Sequence, residues 1–212
     1  MTEIYDVASV HGRFQPVHLG HVEYLLAAKE RCRFLYVGVA QFVRSRLQVV
    51  SSNAPHRVEP TSNPMTFFER QAMIREVLLD CGVPSEEFAV VPFPIEDLAV
   101  LPEFLPRTLP ILTTIYEEWN REKVALLRAA GYPVEVLYQD RARVYSGTEV
   151  RRLVAAGDAR YESMVPPATA RWVLRVGMRQ RLLEGAREDP AAGSVDDADL
   201  PGTVGDAPDH AG

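Results

Sequence analysis

The sequence predicts an α/β protein, a parallel sheet with helices on both faces in a single domain, and three observations carry that prediction. Short apolar runs rich in Val, Ile and aromatic residues alternate with segments whose apolar positions recur at three and four spacing. Two of those helical segments stop at glycines, Gly82 and Gly131, as helix C-termini often do. A repeated strand, helix, strand order buries the apolar runs only when helices cover both faces of a parallel sheet.

The elements follow in order. "YDVASV" (5–10), "FLYVGVA" (34–40), "FAVVPFPI" (88–95) and "VEVLY" (134–138) read as short buried strands. Residues 20–31, 67–80 and 119–130 read as the helices between them. Residues 42–66, with "SSNAPHRVEPTSNP", have no period and read as a long polar loop of the kind that is functional or disordered. "YSGTEVRRLVAAGD" starts a short helix, and residues 166–184 read as one long final helix behind two prolines. From Gly185 onward Ala, Gly, Pro and Asp dominate, so the domain is expected to span 1–184 and an acidic, disordered tail 185–212.

The tail also explains the charge. Of the net charge of −6, the whole is supplied by residues 185–212, where seven acids face Arg187, so the body before it is balanced. A balanced body lacks the basic footprint that sequence-independent nucleic-acid binding requires, so no nucleic-acid partner is expected and any phosphate chemistry must be local. The chain has 47% hydrophobic residues over 212 positions, enough for a real core. It shows no basic leader and no apolar stretch of membrane-spanning length, so a soluble, cytoplasmic protein with no membrane contact is expected. Cys32 and Cys81 have no metal or disulfide spacing and read as buried free thiols in a reducing compartment. Only Lys29 and Lys123 are lysines among 23 basic residues, a bias that suits bidentate phosphate binding but that a GC-rich genome also produces.

The chemistry gathers in "HGRFQPVHLGH" (11–21), the turn between the first strand and the first helix. A helix N-terminus offers unpaired N–H groups and partial positive charge, hence an anion site. Gly12 and Gly20 would let backbone approach a ligand, and His18 and His21 add two ring donors. The same histidines also read as metal ligands, although no nearby Cys or His completes a set, or as helix caps with no ligand. No metal site built from side chains is expected. GxxxxGK[ST], GxGxxG after the first strand and GxSxG are all missing, which removes support for P-loop, dinucleotide-dehydrogenase and serine-hydrolase chemistry.

Three stretches carry a family resemblance. "GRFQPVHLGH" (12–21) resembles the HxGH element of the nucleotidylyltransferase superfamily, and its GRFQPxHxGH form looks like archaeal-type nicotinamide-nucleotide adenylyltransferases. "NPMTFFER" (63–70) resembles that family's NPFTxxER stretch, and "YSGTEVRR" (145–152) is similar to its SxTxxR element. The matches fall in family order over roughly residues 8–175. The resemblance implies a Rossmann-like fold and transfer of a nucleoside monophosphate, AMP from ATP before others, to nicotinamide or nicotinate mononucleotide with release of pyrophosphate. It implies Mg²⁺ bridging phosphate oxygens, small nucleotide substrates as partners and possible homo-oligomers. It assigns His18, His21 and Arg151 as catalytic, and Gly12, Arg13, Phe14, Gln15, Gly20, Ser146 and Thr148 to the triphosphate.

Each assignment has an ordinary alternative. Ser146 reads equally as the N-cap of a capping box with Glu149, Arg152 as a surface arginine, and Arg70 as half of an ion pair on a helix face. The acceptor side matches the family less well. "PFPIEDLAVLPEF" lacks the Asn and Trp that help receive the nicotinamide nucleotide, and "YEEWN" (116–120) stands where YSGN is expected. Glu96, Asp97 and Trp119 are the acceptor candidates, the acids equally readable as solvated loop residues and Trp119 as packing. Those departures support a second reading, cytidylyl or adenylyl transfer to another small phosphate or phosphonate in specialised biosynthesis; a third, a non-catalytic dinucleotide sensor, has intact His18, His21, Ser146, Thr148 and Arg151 against it.

Overall fold

The computed structural model describes residues 4–47, 59–116, 118–139 and 144–188. Its elements run β1 (Tyr5–Gly12), α1 (Leu19–Lys29), β2 (Cys32–Val39), α2 (Phe67–Asp80), β3 (Phe88–Pro92), β4 (Ile111–Ile115), α3 (Glu118–Ala129), β5 (Val134–Gln139), α4 (Gly147–Ala156), α5 (Pro167–Arg175) and α6 (Met178–Glu188). The five strands pair only in parallel, in the order β3-β2-β1-β4-β5. This is the Rossmann-like α/β arrangement that the sequence predicts. The order reverses between β1 and β4, and the crevice beyond the carboxyl ends of those two strands is where such sheets take ligands.

Alternation along the strands sorts the core into two layers, because successive side chains point to opposite faces. Ala8 and Val10 of β1, with Leu35 and Val37 of β2, pack against Leu25 and Ala28 of α1, Leu78 of α2 and Val154 of α4. Val7 and Tyr36, one position out of step, pack with Phe93, Leu101, Ile111 and Leu127 of α3. Helices therefore cover both faces, and α3 lies on the face opposite α1, α2 and α4. Gly38 lets Phe93 close on the sheet, since a Cβ there would meet the Phe93 ring at 2.5 Å.

Four expectations need correction. The sequence reading has no strand at Ile111–Ile115, a run between β1 and β5 whose two threonines dilute its apolar signal although all five residues are buried. The long final helix is two, broken at Gly177 with φ of 61°, after which α6 packs on α4 and on the turn at Pro60–Ser62. Helix α6 then passes the expected boundary at 184 and ends at Glu188, because Gly185 lies against Pro60 and Thr61, a Cβ there standing 3.4 Å from the Thr61 methyl. The rest of the tail lies outside the described residues. Cys81 is exposed where it ends α2, while Cys32 is buried as expected. Of the 42–66 loop, residues 48–58 lie outside the described residues, and its ends form short helical turns at Arg44–Arg46 and Pro60–Ser62. Among the described residues no helix is long and apolar enough to cross a membrane.

Candidate active site

The turn after β1 is held in shape by its own side chains and by two distant ones, Arg70 and Arg151. Gly12 gives space to Phe14, whose ring stands 2.9 Å from where a Cβ on residue 12 would be. Phe14 is fully buried and has φ of 52°, so it anchors the turn from beneath rather than offering itself to a ligand. The Gln15 amide spends both ends on one backbone, its Nε2 donating to the Met65 carbonyl and its Oε1 accepting from the Met65 N–H, each at 2.9 Å.

Arg70 is the largest side chain buried without exposure, and it makes no ion pair on a helix face. Its guanidinium donates to the carbonyls of Arg13 at 2.9 Å and of Ala40 and Gln41 at 2.8 Å, joining the turn after β1 to the turn after β2. Burial, with Arg44 nearby, pushes its guanidinium down to about 10. The helix-face ion pair belongs instead to Glu69, which meets both nitrogens of Arg181 at 2.8 Å.

His18 and His21 lock the start of α1. His18 is the N-cap, its Nδ1 accepting from the His21 N–H, while His21 Nδ1 accepts from the His18 N–H, both at 3.3 Å. The two rings stack with centroids 3.7 Å apart. With each Nδ1 acting as acceptor, the proton of each neutral ring sits on Nε2. Capping and ligand binding are thus compatible, since the cap leaves both Nε2–H groups as donors. Gly20 is needed where these rings crowd the backbone, a Cβ there falling 3.3 Å from His18 Nδ1 and 3.7 Å from Tyr145.

That last contact brings a second helix N-terminus to the same turn. Ser146 caps α4, its hydroxyl accepting from the Glu149 N–H at 3.1 Å. The reciprocal half of the expected capping box is missing, because Glu149 turns outward to grip Arg152 at 2.7 and 2.8 Å. Arg151 points inward and is buried. It donates to the Gln15 carbonyl at 2.8 Å and to Thr148 Oγ1 at 3.3 Å, and burial lowers its guanidinium to about 10 while leaving it charged. Gly147 sits so close to this contact that a Cβ would lie 3.2 Å from Arg151 Nη1. The structure therefore gathers Gly12, Arg13, Phe14, Gln15, His18, Gly20, His21, Ser146, Thr148 and Arg151 around two converging helix N-termini, an arrangement suited to a polyphosphate.

The acceptor candidates do not join that group. Asp97 is exposed and accepts from the Ala99 N–H at 3.2 Å, closing its own turn. Glu96 is half-buried with Oε2 unpartnered, and burial and Asp97 raise its carboxyl above the usual range. Trp119 stands in the first turn of α3, with the Lys123 ammonium 4.7 Å from its ring centroid.

Sequence reasoning passed over His11 and Lys123. His11, at the carboxyl end of β1, is buried, stacks on Phe93 at a centroid distance of 4.3 Å, and has neither ring nitrogen in a hydrogen bond. Burial and the charge of Lys123 hold its imidazole well below the usual histidine range. A signal for each was present: a histidine at an inward position of an apolar strand, and one of only two lysines in an arginine-rich chain. Among the described residues no three His, Cys, Asp or Glu side chains gather as a metal site.

Comparison with known proteins bears on the family and the fold. A family model described as cytidylyltransferase-like matches residues 10–153. The chain is 38% identical to a phosphonoformate cytidylyltransferase of Streptomyces viridochromogenes, over 85% of this chain and 97% of that one. It is 30% identical to a nicotinamide-nucleotide adenylyltransferase of Saccharolobus solfataricus, over 82% and 92%. Among solved structures, a bifunctional NMN adenylyltransferase/ADP ribose pyrophosphatase of Francisella tularensis, complexed with AMP and a manganese ion, superimposes with TM-score 0.62 at 15% identity. That match covers 87% of this chain and spans about half of the other, 53%, and it speaks for the fold alone.

Proposed function

Because this chain belongs to the cytidylyltransferase-like family and is a nucleotidylyltransferase, we propose that it transfers CMP from CTP to a small phosphonate or phosphate acceptor. The observation that carries this reading is the 38% identity to a phosphonoformate cytidylyltransferase over nearly that protein's full length. The acceptor side supports it, since the nicotinamide-receiving Asn and Trp after β3 are lacking and "YEEWN" replaces the glycine-containing element.

In this reading an ionised acceptor oxygen attacks the α-phosphorus of the triphosphate. The new O–P bond forms as the bond from the α-phosphorus to the bridging oxygen breaks, and pyrophosphate leaves. The acceptor is already an anion at neutral pH, so no general base is needed. Alignment and charge stabilisation supply the catalysis. His18 and His21 direct Nε2–H donors at the α-phosphate. The N–H groups at the start of α4, with Thr148 and the Arg151 guanidinium, hold the β and γ phosphates. Arg13, Gln15 and Phe14 shape the turn on which the triphosphate lies. A divalent cation such as Mg²⁺ would arrive on the triphosphate's own oxygens, as that ion commonly does, rather than in a cage of side chains.

Pyrophosphate release is the test, with CTP, ATP, GTP and UTP each set against phosphonoformate, simple phosphates, and nicotinamide and nicotinate mononucleotide. Release with CTP and a phosphonate, abolished in His21→Ala, is the expected result. Release only with ATP and a pyridine nucleotide would return the chain to the adenylyltransferase reading.

A further inference from the structure

The acceptor side of the crevice contains two buried groups that the triphosphate chemistry does not use. His11 is 5% exposed, and neither of its ring nitrogens has a partner. Leaving a buried polar atom unpaired forfeits its hydration without replacing it, and such exceptions in a folded protein call for a role. Lys123 is 9% exposed, an unusual burial for an ammonium group. Both lie on the sheet face covered by α3, since His11 shares the alternation of Val7 and stacks on Phe93 of that layer. His11 lies at the carboxyl end of β1, beside the strand-order reversal where ligands enter, and Lys123 lies in the second turn of α3, the helix that follows β4. His11 immediately precedes Gly12, so this ground adjoins the phosphate-holding turn.

We propose that His11 and Lys123 together receive the second anionic group of the acceptor, a carboxylate, and thereby select the acceptor. This rests on the phosphonate reading above and names the residues that would give it specificity. Lys123 supplies the charge and His11 a hydrogen bond to the same anion. Held uncharged by burial and by Lys123, the imidazole donates from one nitrogen and keeps the other as an acceptor. A desolvated lysine favours an anion and disfavours a cation in the same place. The pyridinium ring of nicotinamide mononucleotide is such a cation, and the Trp119 face on which it would stack already has the Lys123 ammonium over it. One pair of residues thus admits a carboxylated phosphonate and rejects a pyridinium nucleotide.

The test measures binding and turnover separately on the full chain. Phosphonoformate is titrated calorimetrically into wild type, Lys123→Met and His11→Leu, each loaded with a CTP analogue whose α and β phosphorus atoms are joined by methylene. Wild type should bind phosphonoformate, and each variant should bind it about tenfold or more weakly, while affinity for the analogue stays within about twofold. Methylphosphonate, which lacks the carboxylate, should bind all three alike. Unchanged phosphonoformate affinity in a folded variant, parallel loss of the analogue, or no binding to wild type overturns the proposal. Thermal unfolding checks folding, and His11→Leu, which fills the same apolar space, carries the test if Lys123→Met does not fold. If transfer from CTP fails while these binding losses stand, only the phosphonate reading falls. If transfer proceeds and the variants bind normally, only this inference does.

Discussion

The two sides of the crevice are built by opposite rules. Around the turn after β1 polar groups are spent on one another: Gln15 on Met65, Arg70 on three turn carbonyls, Arg151 on Gln15, and His18 and His21 on each other's backbone. On the α3 face both ring nitrogens of His11 are unspent. The first region is organised before any ligand arrives, as a site must be when its contribution lies in fixed donors. The second keeps polar valence in reserve, the condition under which a site rejects a ligand that fails to supply the missing partner. A polyphosphate presents the same groups whatever the acceptor, so under the proposed function the rigid half can stay constant while the reserved half carries the substrate choice.

Perturbing each half in turn sharpens or breaks that contrast. The largest effect is expected from His21→Ala, which removes one donor from the rigid half and should lower kcat by about 10²–10³-fold with little change in nucleotide affinity. Equal loss in binding and turnover, measured by steady-state kinetics beside nucleotide titration, would assign His21 to ground-state binding. Arg70→Met leaves buried carbonyls of Arg13, Ala40 and Gln41 without their donor and should cost about 3 kcal/mol or more in denaturant unfolding. Gly38→Ala pushes Phe93, and with it the His11 stack, at a cost of about 1–3 kcal/mol. It should raise the acceptor KM several-fold while sparing the nucleotide KM, and a reversed pattern would erase the proposed division. The Glu69–Arg181 pair should contribute about 1 kcal/mol at most, being partly exposed. Burial alone would raise the Glu69 carboxyl, but Arg181 and the Thr66 N–H outweigh it and the net displacement is downward. Its contribution is therefore present above the ordinary glutamate value of about 4.3 and is lost as pH falls through the lower folded value, which unfolding of Glu69→Gln against wild type at neutral and acid pH would register. Truncation after Glu188 should change neither turnover nor Tm.

What could be read in the sequence was local. The glycine-bounded helices, the β1 turn and the caps at His18 and Ser146 depend on neighbours within a few positions, so residue type and spacing express them. Arg70 was undecided because its partners lie about 30 and 57 positions away, a separation that no helical period encodes. Strand β4 was missed for a related reason: its pairing with β1 and β5 makes "ILTTI" a buried strand, and within the segment itself Thr113 and Thr114 argue against one. The helix break at Gly177 could have been suspected from the glycine. Its purpose, turning α6 toward residues 60–69, could not. His11 and Lys123 become meaningful only when the sheet places a residue near the start of the chain beside the helix after β4.

The packing of α6 on the turn at Pro60–Ser62 has a consequence for how the protein is made. Arg181 meets Glu69 across a separation of 112 residues and also holds the Pro64 carbonyl, next to the Met65 on which Gln15 depends. Contacts that distant form late, because the intervening chain must first be closed into a loop. During synthesis, at about 5–20 residues per second, β1 and its turn would leave the ribosome many seconds before the segment that fastens them. The nascent chain thus carries the turn after β1 unsecured for much of its elongation, and the last helix among the described residues fastens the first turn to be made.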